Sequence, residues 1–89
     1  MGEETKQSQV VKALDSLGKE ASILRVSKLV NFKYNHARDC LLILFRKGLV
    51  KRRREYRREN NKTTHTAFYR VNRDTPASSK LVDYWIKHY

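Results

Sequence analysis

Six of the eight residues in Lys51-Arg52-Arg53-Arg54-Glu55-Tyr56-Arg57-Arg58 are lysine or arginine, a density of positive charge suited to a row of phosphates. Lys62 and His65 extend the same stripe. If roughly six to eight phosphates are neutralised, log affinity should fall with log salt at a slope of about −5 to −7. Upstream, Asn35, His36 and Arg38 fall within one helical turn. Arginine can bond guanine O6 and N7 together, and asparagine can bond adenine N6 and N7, so this cluster has the chemistry to read base edges. Lys28, Lys33 and Tyr34 beside it suit phosphate contact. Tyr56, Phe68 and Tyr69 interleave with the charge; rings so placed either stack on unpaired bases or fill a core, and core packing is the expectation here. Tyr69 and Val71 alternate so as to face the first helix, leaving Phe68 and Arg70 for the other side.

Catalytic chemistry has little support. His36, His65 and His88 are scattered, and the chain has neither a glycine-rich phosphate loop nor paired carboxylates in an evident pocket. His36 and Cys40 stand four apart, but two ligands make a weak metal site, and Cys40 is expected to pack as a small apolar residue. The residues therefore suggest no enzyme, cofactor, metal or small-molecule substrate.

The 89 residues carry 20 Lys and Arg against 9 Asp and Glu, a formal net charge of +11. That length allows one domain and little enclosed volume. A lone cysteine excludes an internal disulfide and suggests a reducing, cytoplasmic setting. No secretory signal and no bilayer-length apolar run is evident, so no membrane partner is expected. Charge is concentrated in the middle: residues 21–50 hold six basic groups and one acidic, and residues 51–74 nine and three, whereas both ends are close to neutral.

The elements that must position these groups are legible from periodicity. After a tail over residues 1–7, Val10, Val11, Leu14 and Leu17 mark a helix from about Ser8, stopped by Gly18. A short extended piece, Ser22-Ile23-Leu24-Arg25, precedes a second helix spaced by Val26, Leu29, Val30 and Phe32. Tyr34-Asn35-His36 reads as a tight turn in which Asn35 caps a third helix. That helix has Ala37, Leu41, Leu44 and Phe45 on its apolar face, Asn35, Arg38, Asp39, Leu42 and Arg46 opposite, and Lys47-Gly48 at its end. Two β-prone runs flanking Asn60-Asn61 predict a hairpin. Thr75-Pro76 opens a last helix to Tyr89 whose stripe of Leu81, Val82, Trp85, Ile86 and Tyr89 is expected to pair two copies of the chain.

Val26-Ser27-Lys28-Leu29-Val30, then Leu41-x-x-Leu44-x-x-Lys47-Gly48-Leu49-Val50, then Phe68-Tyr69-Arg70-Val71 together resemble the winged helix-turn-helix DNA-binding domain, in particular the small ArsR- and MarR-like regulators of bacteria and archaea. The cysteine pair of metal-sensing ArsR relatives is missing. The resemblance implies an α+β, mainly helical fold over residues 8–74, with helix, short strand, helix, recognition helix and two-stranded wing, and residues 75–89 as an added dimerisation helix. It also implies a homodimeric, sequence-specific transcriptional regulator of double-stranded DNA, nucleoid-associated if prokaryotic. Lys28, Lys33, Tyr34, Asn35, His36 and Arg38 would lie at the major groove, and Arg52, Arg53, Arg54, Arg57, Arg58 and Lys62 on backbone or minor groove. Binding to RNA or the ribosome, or unspecific coating of chromatin, would draw on the same residues.

Overall fold

A computed structural model describes residues 5–88. Their order is α1 (Lys6–Leu17), β1 (Ala21–Ser22), α2 (Ile23–Val30), α3 (Tyr34–Arg46), β2 (Val50–Glu59), β3 (Lys62–Val71) and α4 (Pro76–His88). The three strands form one antiparallel sheet in the order β1-β3-β2. The protein is thus a small α+β fold. Among the described residues, no helix is long and apolar enough to cross a membrane.

Hydroxyl caps set the helix starts earlier than periodicity suggests. The Thr5 hydroxyl accepts the Ser8 amide at 3.1 Å, so α1 begins at Lys6 and the expected tail shortens; residues 1–4 of that tail lie outside the described residues. Ser22 likewise accepts the Arg25 amide at 3.2 Å. The expected extended piece over residues 22–25 is therefore only Ala21–Ser22, with Ile23 already helical. The second helix stops at Val30 because Asn31 turns left-handed at φ 57°, and the turn to α3 occupies residues 31–33 rather than 34–36. Lys33 is the α3 cap and makes no side-chain cap bond. Asn35 lies inside the first turn and is not the cap that the sequence suggests. Gly48, at φ 80°, closes the helix where expected, in a left-handed conformation that a Cβ would strain.

Asn60 and Asn61 both adopt positive φ, 48° and 63°, the two-residue geometry whose twist matches a right-twisted ribbon. Glu59 pairs with Lys62 across it, and the ladder runs unbroken to Val50 opposite Val71. The hairpin thus has the register of its turn, and no bulge resets the alternation of faces.

One core serves the whole chain. Val10, Val11 and Leu14 of α1, Val26 of α2, Ala37, Cys40, Leu41 and Leu44 of α3, Leu49 and Val50, Tyr69 of β3, and Val82 and Trp85 of α4 are all buried. Three details amend the expected faces. Phe45 is partly exposed, Tyr56 is not a core residue at all, and only Tyr69 among the three rings near the hairpin is fully buried. The α4 stripe also divides: Val82 and Trp85 fill the chain's own core with Ile86 packed against it, whereas Leu81 faces outward, as does Tyr84, which lies off the expected stripe. Tyr89, also expected on that stripe, lies outside the described residues.

Polar contacts secure the same docking. Arg73 donates to both Asp15 oxygens, at 2.9 and 3.1 Å, and lies 2.8 Å from an Asp83 oxygen, so a single guanidinium ties α1 to α4. Thr75 and Ser78 exchange backbone-to-hydroxyl bonds of 3.1 Å at the start of α4, whose first residue, Pro76, has no amide hydrogen to satisfy.

Two stability outcomes are expected. Trp85→Ala should cost about 3–5 kcal/mol in urea unfolding and Leu81→Ala less than about 1 kcal/mol, because only the former opens the shared core. Ser8 is fully buried and its hydroxyl has no hydrogen-bond partner among the described residues. Ser8→Ala should therefore leave stability unchanged or raise it by up to about 1 kcal/mol.

Candidate nucleic-acid interface

Strict alternation along β2 sorts the basic run into two populations. Paired opposite one another, Val50 and Val71, Arg52 and Tyr69, Arg54 and Ala67, Tyr56 and His65, and Arg58 and Thr63 share one face of the ribbon. Lys51, Arg53, Glu55, Arg57 and Glu59 share the other with Arg70, Phe68, Thr66, Thr64 and Lys62.

The second population is extensively neutralised. Arg53 donates through Nε to Glu20 Oε2 at 3.1 Å and also reaches Glu55 at 3.4 Å, while its guanidinium lies over the Phe68 ring. Arg57 stands 3.8 Å from Glu55. Asp74 accepts both Arg70 terminal nitrogens, at 2.9 and 3.0 Å, and Lys51 Nζ at 2.6 Å. These contacts hold the Asp74 carboxyl well below its ordinary range, first through Arg70 and then through Lys51, and the hydrogen bond from Arg53 lowers that of Glu20.

The first population has a different setting. Arg52, Arg54 and Arg58 have no carboxylate partner among the described residues. Arg52 instead lies 4.4 Å over the Phe45 ring, so this face is the one turned toward α3. Beyond Arg52 the strand leaves the core, and Arg54 and Arg58 are exposed.

The solvent side of α3 continues this surface. Asn35, Arg38, Asp39 and Arg46 are exposed along one ridge, with Leu42 half-buried among them. Arg38 stands 3.6 Å from Asp39, the one carboxylate on that ridge. Tyr34, at the start of α3, lines a groove with Ile23 and Leu24 of α2 and His65, Thr66 and Ala67 of β3. Helix start and hairpin therefore form adjoining walls. Lys28, Lys33 and His36 are exposed, and neither lysine pairs with a described carboxylate.

The structure thus gathers Tyr34, Asn35, Arg38, Arg52, Arg54 and Arg58 along two adjoining elements. It sets Arg53, Arg57 and Lys62 on the opposite ribbon face. The two-residue strand period divides what is one continuous basic run in the sequence into these two groups. Arg25 and Arg46, outside the expected site residues, are exposed as well, at helical spacing from Lys28 and Leu42.

Cys40 is buried behind this ridge, and burial pushes its thiol up, away from the reactive thiolate. Among the described residues, no three of His, Cys, Asp and Glu gather as metal ligands. No protein-family model matches the chain, and no curated protein matches it.

The acid side of the stability curve follows from the neutralised face. A carboxyl with a depressed folded pKa stabilises the fold above its unfolded value, here 3.8 for Asp74, and loses that contribution as pH falls below it. Thermal midpoints should therefore be nearly level from about pH 7 to pH 5 and drop below about pH 4. Asp74→Asn should be less stable than the parent at neutral pH, with the difference narrowing as acid protonates the parent's carboxyl.

Proposed function

We propose that the protein binds double-stranded DNA as a winged helix-turn-helix module. In this reading α3 is the recognition helix in the major groove, and the β2-β3 hairpin is the wing, lying across the backbone toward the adjacent minor groove. The observation that carries it is the unneutralised row of Arg52, Arg54 and Arg58 on the ribbon face turned toward α3. Helix and ribbon then offer a single positively charged surface, while the chain's own carboxylates occupy the cations behind it.

Asn35 and Arg38 supply adenine and guanine recognition from the first turns of α3, where a groove-bound helix comes nearest to base edges. Lys28, Lys33 and Tyr34 engage phosphate. The biological role that fits such a surface is transcriptional regulation in the cytoplasm or nucleoid, in the manner of the small regulators that the sequence resembles. Leu81 and Tyr84, the apolar residues that α4 leaves exposed, would be the centre of a two-fold contact. A homodimer would place two recognition helices roughly 34 Å apart on a partly palindromic site.

Salt titration of duplex affinity separates the two ribbon faces. Arg54→Ala with Arg58→Ala should weaken all duplexes and flatten the log–log salt slope by about two, whereas Arg53→Ala with Arg57→Ala should change it by less than about one. Arg38→Ala should relax preference at one base position, at a cost of about 1–3 kcal/mol on the best site. Equal slopes for the two double variants would refute the face assignment, and structured RNA outcompeting every duplex would refute the DNA reading.

A further inference from the structure

Tyr56 is the most exposed large hydrophobic residue among those described, with 63% of its surface accessible. Its ring lies 5.9 Å from that of His65, its cross-strand partner, at an interplanar angle of 41°. The pair stands on the unneutralised face of the ribbon, between Arg54 and Arg58. No core covers it, because every residue from Tyr56 to Thr66 is exposed.

Spacing gives the pair a specific place on a duplex. Arg52, anchored over Phe45, marks where the ribbon leaves α3. Four residues of strand carry Tyr56 about 13 Å farther, comparable with the roughly 12 Å width of the major groove that α3 would occupy. Arg54 and Arg58 lie about 7 Å to either side of Tyr56 along the strand, a spread of about 14 Å that exceeds the roughly 6 Å width of a minor groove and so puts one cation over each bordering strand. Two guanidinium groups would meet the bordering phosphates while the ring between them points at the groove floor. A phosphate contact has no use for an aromatic ring, but a base step does: its faces are apolar and can be parted by a ring held stiffly at an edge.

Resting on the duplex-binding reading above, we propose that Tyr56, braced by His65, is a minor-groove wedge that partly unstacks one base step. The wing thereby selects DNA that is deformable at that position. Selectivity arises there because flexible pyrimidine–purine steps open more readily than stiff ones of the same composition. The ring performs the wedging and the phenol oxygen is dispensable. His65 limits the rotamers of Tyr56, so the ordering entropy of an exposed side chain is partly lost before DNA arrives.

The test uses the full chain and a duplex on which footprinting has located the wing. A TA step at that position is compared with an AA step, with 2-aminopurine replacing the adenine of the TA step as a reporter of stacking. Wild type should favour TA by about fivefold and raise 2-aminopurine emission on binding. Tyr56→Phe should keep both effects. Tyr56→Ala should lose both, with about tenfold weaker binding to the TA duplex and an unchanged salt slope. Equal affinity of wild type for the two steps, silent 2-aminopurine, or a TA preference that survives in Tyr56→Ala would each overturn the wedge while leaving the duplex-binding reading intact. If no variant, wild type included, bound any duplex, both would fall together.

Discussion

The alternation of side chains along β2, held in register by the Asn60-Asn61 turn, is the constraint on which the rest of the surface depends. With a period of two, a slip of one residue would exchange the faces completely. Arg53 would turn from Glu20 toward α3, and Arg52 would leave the Phe45 ring for the acidic side. Val50 would also leave the core, and its burial supplies part of the penalty that forbids such a slip. Electrostatic pattern and hydrophobic packing thus enforce the same register.

A chain with net charge +11 repels itself, and the positions of its carboxylates relieve that repulsion unevenly. Asp15 and Asp83 meet Arg73 between α1 and α4, Glu20 and Glu55 meet Arg53, and Asp74 meets Lys51 and Arg70. Exposed pairs of this kind contribute only about 0–1 kcal/mol each. Their larger consequence is spatial: the far side of the sheet is compensated and the α3 side is left with its field. Asp39 is the exception on the α3 ridge, and its carboxylate would repel phosphate while able to accept from a cytosine amine.

The C-terminal helix shows how a small domain uses its last element. Without α4, the core face of α1 would lose Val82 and Trp85, and Lys47 would lose the ring over which it lies at 4.7 Å. A domain of this size buries a smaller fraction of its surface than a larger one, so an element that closes the core contributes disproportionately. Of the stripe's described residues Leu81 is the one left exposed, and Tyr84 beside it is exposed as well.

The sequence alone determined the order of elements, the hairpin and its turn, and the glycine stops, because helix period, strand period and left-handed Asn or Gly are local properties of the chain. It also determined that the excess of positive charge is concentrated in residues 21–74. It did not reveal which arginines are free. Pairing Arg53 with Glu20 joins residues 33 positions apart, and Arg73 with Asp15 joins residues 58 apart, so no window of local sequence contains either contact. Nor could periodicity tell whether Trp85 faces its own core or another molecule, since an amphipathic stripe specifies that a surface must be covered and not by what. Tertiary structure decided both, because charge neutralisation and burial depend on distance in space, which the chain sets only once it has folded.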